Sequence, residues 1–565
     1  MTADLPPAAD PADFDSEQEA TNRGVARATG ILALGNIISR VLGLVREIVL
    51  ANLFGAGAAI NAFNVAILVP RNLYDLLIGG HVNGAIIPVL SEVDTIRGRD
   101  ELWRLVSVLL SMITVVLAAM IVLLEVAAPL VVRVVGGGFD AYERGLAVDL
   151  LRITTPALIF MGLFAILSGA LYALRRFAWP AFATAMFNTA IVVVALTFTP
   201  DPQARLLWQD GMTRLSVSRP DDGILIVAFG WLAGSIAYLL LQVPGLRDAK
   251  LRFTLRWRHA GIRRIGLLYV PVMFSLVLDT LVVRLFSYNL ASRSTIDGAI
   301  GIMNWATTLI QFPQGLVATA ISIAVLPTLS RQAALIASDG EDGRNRRAFR
   351  DTLGLGMRLA ITLILPAAVG LFALATPIVA LIFQHGAFDA SATESTSIAL
   401  RLYLVGLPFA AVDLLLVYAF YARQDTFTPA MIGLFSLSLY MAVAIVLFPR
   451  MGLYSLMVAD SAKHVTHAAI SAFLLHRRMD GLSDRRLFVT ASKTALAAGL
   501  MGITAALALP VVRDTVGSGG FLRELQLVGA AGGLSVAVFA IAAYLLNIEE
   551  WGWLSGLLRR RIAPD

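Results

Sequence analysis

Cysteine is absent from all 565 residues. That excludes disulfides, thiolate nucleophiles and Cys-ligated metals. Charge is scarce too. Asp, Glu, Lys and Arg make up 15% of the chain, against about 25% in soluble proteins. Hydrophobic residues make up 58% and the mean hydropathy is +0.76, so the chain reads as an integral membrane protein. There is no Walker A loop and no Gly-rich dinucleotide fingerprint, which leaves no known loop for ATP hydrolysis. The six histidines (His81, His259, His385, His464, His467 and His476) are scattered. His464 and His467 share a helix face, but without a zincin-like acid they read as packing or headgroup contacts. No catalytic centre, cofactor or metal site is expected, and the chain does not read as an enzyme. Residues 1–23 lack the basic and apolar regions of a signal peptide. They read as an acidic, Ala/Pro-rich disordered tail, with the first apolar helix acting as an uncleaved insertion signal.

Long apolar runs fill the rest. At about 20 apolar residues per crossing, the sequence predicts an all-α polytopic membrane protein of about fourteen transmembrane helices. Their approximate positions are 28–54, 59–90, 104–134, 146–173, 179–200, 222–245, 264–290, 298–329, 354–383, 394–422, 428–448, 452–476, 487–512 and 524–546. Prolines such as Pro70, Pro88, Pro156, Pro271, Pro313, Pro327 and Pro408 predict interruptions in these helices. Basic residues cluster in alternate loops: Arg97 and Arg99, Arg175 and Arg176, the run from Arg247 to Arg264, Arg344 to Arg350, and Arg477 to Arg486. The intervening loops are almost free of positive charge, which places both termini in the cytoplasm. Topology and anionic lipid account for these basic loops without nucleic acid.

The chain also repeats. Gly138-Phe139-Asp140, Leu151-Arg152, Tyr172-Ala173 and Pro180 recur 249 residues later as Ala387-Phe388-Asp389, Leu400-Arg401, Tyr421-Ala422 and Pro429. Upstream, Pro88-Val89-Leu90-Ser91 answers Pro327-Thr328-Leu329-Ser330. The repeat spans six helices, an even number, so the copies run parallel. Two six-helix bundles related by an axis along the membrane normal are the arrangement of a rocking transporter. The expected divisions are a disordered cytoplasmic tail (1–26), an N-terminal bundle (27–246), a basic linker (247–263) and a C-terminal bundle (264–477). Two additional helices (478–548) and a cytoplasmic tail (549–565) complete the chain.

Charges at membrane depth single out Ser39 to Ser91, where Arg40, Arg46, Glu47, Arg71 and Asp75 interrupt apolar helices. Each costs about 2.5–3.5 kcal/mol on insertion scales, so it needs a partner or a polar cavity. Arg40 and Glu47 lie on one face, whereas Arg40 and Arg46 are about 120° apart. Arg71 and Asp75 sit at i and i+4, within ion-pair reach. One reading lets some of these arginines snorkel to the headgroups. The other gathers them in a hydrated cleft, where the planar guanidinium fork suits a phosphate-bearing substrate. Asp279 and Arg284 interrupt the seventh helix, and Asp279 is a candidate site for a coupling cation, Na+ or H+. Asp460 is a weaker case of the same kind.

The run Ser39-Arg40-Val41-Leu42-Gly43-Leu44-Val45-Arg46-Glu47, with Asn52-Leu53-Phe54-Gly55-Ala56-Gly57 and Asn61-Ala62-Phe63, resembles the opening of the MurJ/MviN lipid II flippases. Phe312-Pro313-Gln314-Gly315 through Ser330, and Phe420-Tyr421-Ala422-Arg423-Gln424-Asp425-Thr426 to Pro429, resemble later segments of the same family. It belongs to the multidrug/oligosaccharidyl-lipid/polysaccharide exporter superfamily. The resemblance, over about residues 28–545, implies fourteen helices and alternating access. It also implies a polyprenyl-pyrophosphate-linked peptidoglycan precursor moved from the inner to the outer leaflet of a bacterial plasma membrane, and a monomer among membrane lipids is expected. Arg40 and Arg46 match two of the family's cavity arginines. Tyr74 and Thr308 stand where it has two more, and Asn61 replaces an acid. Arg71 and Arg284 are the residues that would supply the missing charge. The two last helices fit a groove for the polyprenyl tail, by the same resemblance. Competing readings are a flippase for another lipid-linked oligosaccharide and a cation-coupled drug exporter, for which twelve helices and an acidic cavity are expected. A membrane-embedded glycosyl- or phosphotransferase would need clustered carboxylates or His at one face.

Overall fold

The computed structural model describes residues 11–77, 80–199, 203–209, 212–218, 221–255, 262, 265, 282–338, 343–479, 481, 485–517 and 519–552. Asp279 lies outside the described residues. The first half holds α1 (Pro11–Phe54), α2 (Ala58–Leu77), α3 (Gly80–Arg97), α4 (Arg99–Val135), α5 (Ala141–Thr154), α6 (Ala157–Ala173), α7 (Ala178–Phe198) and α8 (Ile224–Leu240). The second holds α9 (Arg284–Ser292), α10 (Ala299–Pro313), α11 (Thr319–Ser338), α12 (Gly343–Ala373), α13 (Ala375–Phe383), α14 (Ala390–Ala422), α15 (Phe427–Met451) and α16 (Tyr454–Arg478). An appended pair follows, α17 (Arg485–Val516) and α18 (Phe521–Leu545). Among the described residues, nine helical segments are long and apolar enough to cross a bilayer. The chain is a multi-pass, almost entirely helical membrane protein.

Two details depart from the sequence reading, and two of the interruptions expected at prolines appear, whereas Pro70, Pro88, Pro327 and Pro408 lie inside continuous helices and Pro271 lies outside the described residues. Residues 11–26, expected to be disordered, continue α1, and their Ala, Glu, Gln and Arg residues are good helix formers. Between α7 and α8 an antiparallel β-hairpin pairs β1 (Gln203–Gln209) with β2 (Met212–Ser218), with Gln209 opposite Met212. The two residues joining the strands in sequence are Asp210 and Gly211, a dipeptide that favours tight hairpin turns. The fourth expected helix is split at Thr155-Pro156, where proline has no N–H to extend α5. Next to Pro313, which cannot donate one turn back, Gln314–Ala318 forms a π turn between α10 and α11.

The repeat is realised down to single hydrogen bonds. Asp140 and Asp389 are both extended residues that cap a helix, Oδ1 accepting from Glu143 N at 2.7 Å and from Ala392 N at 2.8 Å. Phe139 N and Phe388 N donate to Gly136 O and His385 O at 3.0 and 3.1 Å. Arg175 and Gln424, 249 positions apart, are both left-handed, at φ 57° and 61°. The copies also cross-brace the two halves. Ala387 N donates to Asn52 O at the end of α1 (2.8 Å), and Gly138 N donates to Ser292 Oγ at the end of α9 (3.0 Å). Side chains do not fit at these crossings: a Cβ on Gly138 would lie 2.2 Å from Ser292 O, and one on Gly55 would lie 2.3 Å from Ala387 O.

The buried apolar residues explain how a cavity opens between the halves. At the end bearing these crossings, one core is shared, from Leu50, Phe54 and Phe63 in the first half to Trp305, Phe383 and Phe388 in the second. At the end bearing the basic loops, each half keeps a core of its own. Leu90, Trp103 and Leu105 centre one; Phe349, Leu415 and Phe420 centre the other. Residues at the first half's basic end are further tied by charge. Asp248 accepts from Arg176 Nη1 (2.5 Å) and Arg99 Nη1 (2.9 Å). The Arg176 hydrogen bond, with the field of both guanidinium groups, holds its carboxyl below the usual carboxylate range.

The appended pair packs on α12 through Leu365 and Val369. It is also held by a buried ion pair: Arg358 Nε on α12 meets Glu550 Oε1 at 2.7 Å, and Glu550 is 1% exposed. Thr490 Oγ1 of α17 donates to the other carboxylate oxygen at 3.5 Å. Glu550→Ala removes the buried carboxylate that Arg358 Nε meets and is expected to destabilise the detergent-solubilised protein by about 3–5 kcal/mol. Replacing both partners, with Arg358→Met and Glu550→Leu, should restore most of that. A melting curve for E550A that overlays the wild type contradicts this role.

A cationic cavity between the two halves

Between the halves lies a cavity of about 440 Å³. α1 contributes Arg40, Arg46 and Glu47, and α2 contributes Asn64 and Arg71. From the second half come Arg284, Ser287 and Tyr288 of α9 and Asn304, Thr307, Thr308 and Gln311 of α10. Tyr403 of α14, Tyr440 of α15, and Asp460 and Lys463 of α16 close the far side. Five cationic side chains thus face two carboxylates.

The four arginines named from sequence meet here, although two of them sit on different faces of α1. Arg40 Nη1 donates to Gln311 O at 3.4 Å, across to the second half. Arg46 turns the other way, bonding Asn188 Oδ1 on α7 (2.9 Å) and Glu47 Oε1 (2.5 Å), with its guanidinium 5.8 Å from the Trp231 ring centre. Its guanidinium is therefore held inside the protein and does not reach out to headgroups. Asn188 in turn donates to Ser39 O at 3.4 Å, which fixes the side chain that orients Arg46. Arg71 lies within the fields of Asp75, Arg284 and Arg46. Tyr74, one turn on, hydrogen-bonds Tyr238 within the first half. On α2, then, Arg71 faces the cavity and Tyr74 does not line it.

Two of the residues named from sequence sit elsewhere. Asn61, expected to support the cavity, is a joint at the sealed end: its Oδ1 accepts from Ile300 N (3.1 Å) and its Nδ2 donates to Glu143 Oε1 (3.4 Å). This short amide at the start of α2 is used up by the start of α10 and by α5, and Asn64, one turn on, is the α2 amide that lines the cavity. Asp75 does not line the cavity and acts on it through Arg71.

Sequence reasoning missed the neutral polar walls and Lys463. Asn304, Thr307, Thr308 and Gln311 follow the i, i+3, i+4, i+7 spacing of one helix face, so that signal was present. Tyr288 OH and the Asn304 side chain bond each other at about 3 Å, with Tyr288 OH to Asn304 Oδ1 at 3.0 Å and Asn304 Nδ2 to Tyr288 OH at 2.9 Å. Ser287 Oγ and Tyr440 OH are 2.7 Å apart. Such groups hold the cavity wall polar without adding charge, so the excess of cations is left for a ligand. Guanidinium groups bind phosphate oxygens in parallel pairs, and charge-assisted bonds of this kind are roughly twice as strong as neutral ones. The arrangement therefore suits an anion with several oxygens.

Because the native chain has no cysteine, single-cysteine variants report accessibility without background. Thr308→Cys, on the cavity wall, is expected to react with a charged, water-soluble thiol reagent in detergent solution. Ala299→Cys, in the shared core at the sealed end where Ala299 is 2% exposed, is expected to stay unlabelled. Equal labelling of both contradicts the closure described here.

Comparison with known proteins bears on the family and the fold. The family model for the lipid II flippase MurJ matches residues 50–525. The chain is 28% identical over 533 residues to the probable lipid II flippase MurJ of Haemophilus influenzae, covering 91% of this chain and 98% of that one. It is 30% identical over 406 residues to the lipid II flippase MurJ of Burkholderia cenocepacia, covering 70% of this chain and 73% of that one. In fold it is similar to a solved structure described as lipid II flippase MurJ, inward closed conformation, with a TM-score of 0.71 at 22% identity over 91% of this chain and 98% of that one. A multidrug resistance MATE family transporter of the MOP superfamily, solved inward-facing, shares the fold at a TM-score of 0.62 and 13% identity, over 80% of this chain and 98% of that one. On the family match across most of its length, the chain belongs to the MurJ lipid II flippase family.

Proposed function

We propose that this protein is a lipid II flippase, carrying a polyprenyl-pyrophosphate-linked peptidoglycan precursor from the inner to the outer leaflet by alternating access. The observation that carries the reading is the convergence of Arg40, Arg46, Arg71 and Arg284 on one cavity between two repeat-related halves. A pyrophosphate bears about two negative charges. Leaving four guanidinium groups together in a hydrated cleft is unfavourable until an anion of that kind arrives. Arg71 and Arg284 then provide the charge that Tyr74 and Thr308 do not. The fourteen hydrophobic stretches are read as spans of the bacterial plasma membrane, with both termini and the basic loops in the cytoplasm. In that orientation the cavity serves the cytoplasmic side, and the shared core and its crossings form the outer seal.

The lipid tail has its own place. An apolar groove of about 460 Å³ lies where α12, α14 and α17 meet, lined by residues such as Leu365, Phe372, Val405, Phe409 and Ala495. A polyprenyl chain in this groove stays in a hydrocarbon environment while the headgroup crosses. In a rocking cycle the headgroup binds, the halves separate at the sealed end, and their basic ends come together. An inside-negative potential supplies about 2.3 kcal/mol per elementary charge per 100 mV and favours outward movement of an anionic headgroup.

Two predictions follow the head and the tail. In proteoliposomes, Arg46→Ala and Arg71→Ala are expected to lower lipid II translocation by roughly 10- to 100-fold, the loss of one charge-assisted hydrogen bond of about 1.5–3 kcal/mol. Lysine at either position should recover only part of it, because the fork geometry is lost. Translocation at wild-type rates by both alanine variants contradicts the reading, and transport of a different lipid-linked oligosaccharide in preference to lipid II corrects the substrate. Val405→Asp should weaken a long-chain polyprenyl pyrophosphate in a binding titration while leaving a short-chain analogue unaffected. Equal effects on both remove the groove from the tail's path.

A further inference from the structure

On α16, one carboxylate is shared between a permanent cation and a titratable ring. Asp460 Oδ1 accepts from Lys463 Nζ at 2.6 Å, and Asp460 Oδ2 lies 3.7 Å from His464 Nε2. Lys463 and Asp460 line the cavity, and the Lys463 ammonium sits 5.7 Å from the Tyr440 ring centre. His464 stands one turn away from Asp460, outside the cavity lining, its side chain 26% exposed. The sequence reading left His464 and His467 as packing or headgroup contacts. Both instead face acids: His467 Nδ1 is 2.5 Å from Asp413 Oδ1 of α14.

We propose that ligand binding in the cavity is linked to proton uptake at His464, a proposal that rests on the cavity being the pyrophosphate site. Lys463 is the one amine among the cationic groups of the described cavity wall, and its flexible stem lets it change partners. An anionic oxygen entering the cavity competes with Asp460 for the Lys463 ammonium. When Lys463 turns to the ligand, Asp460 Oδ1 loses the ammonium it accepts from. Among the described residues, the remaining titratable neighbour at its second oxygen is His464. Its Nε2 takes a proton delivered from the bulk solution, whose buffer is left deprotonated, and the resulting N–H donates to Oδ2, so the cluster keeps its charge balance. Histidine is suited to this because its charge changes between about pH 5 and 8.

The other groups facing the cluster do not serve. From α14 come Tyr403, whose hydroxyl is bonded to Thr307, and Asp413, already paired with His467. From α15 comes Tyr440, bonded to Ser287 of α9. His464 feels the fields of Asp413 and His467 as well as those of Asp460 and Lys463.

Isothermal titration calorimetry tests the linkage. The full-length protein in detergent is titrated with farnesyl pyrophosphate at about pH 7 in MOPS and in Tris buffer, whose ionisation enthalpies differ, which gives protons taken up per ligand. The expected result is a larger uptake in wild type than in His464→Asn, the difference approaching one proton. Asp460→Asn should abolish the same difference although His464 is intact, which a direct contact between His464 and the ligand would not do. Equal proton counts in wild type and both variants, or full uptake retained by D460N, overturn the linkage while leaving the cavity as the pyrophosphate site. No binding of farnesyl pyrophosphate to the wild type overturns the cavity reading, and this proposal with it.

Discussion

Mutual repulsion among guanidinium groups at membrane depth is the constraint around which this protein is arranged. Arg40, Arg46, Arg71 and Arg284 face one space, and Glu47 and Asp460 are the carboxylates that line it with them. Packed in apolar surroundings, such a set would not hold; it persists where water or an anion screens it. The architecture supplies that space by keeping the apolar cores of the two halves separate at the basic end. The polar residues of α9 and α10 line it without neutralising it, and Asn188 and Gln311 steer two of the arginines by single hydrogen bonds.

Separation at one end requires attachment at the other. There the halves share a core and are cross-braced by the same sequence motif used twice, each loop seated on the end of the other half's first helix. Beside the aromatic side chains of that core, these contacts use backbone groups and close glycine crossings. Backbone hydrogen bonds of this kind are modest in net worth, about 0.5–1.5 kcal/mol each. A seal made of a few such contacts can be exchanged for others in a rocking cycle. The appended pair is different in kind: a buried ion pair and apolar packing fix α17 and α18 to α12, which keeps a continuous apolar groove beside the second half.

Much of this was legible in the residues. Low charge and long apolar runs gave the class, and the described helices cover the apolar stretches, although α1 and α12 begin well before them and the stretch at 59–90 is divided between α2 and α3. The repeat at 249 residues foretold matching caps at Asp140 and Asp389 and matching left-handed residues at Arg175 and Gln424. Breaks at Thr155-Pro156 and beside Pro313 followed from proline's missing N–H. The hairpin at 203–218 and the helical start at Pro11 were not foreseen, because neither belongs to the apolar pattern that was being read.

By itself, then, the sequence determined that charged groups lie at membrane depth, that the fold is a doubled helical bundle and which family it resembles, because insertion energetics and periodicity are local properties of the chain. Only the tertiary structure decided which charges meet. Arg40 and Arg46 leave α1 on different faces yet border one cavity, Asn61 belongs to the sealed end, and Lys463 and His464 share Asp460. Those outcomes depend on how helices distant in sequence pack, and helical spacing fixes a side chain's face without fixing what that face will meet.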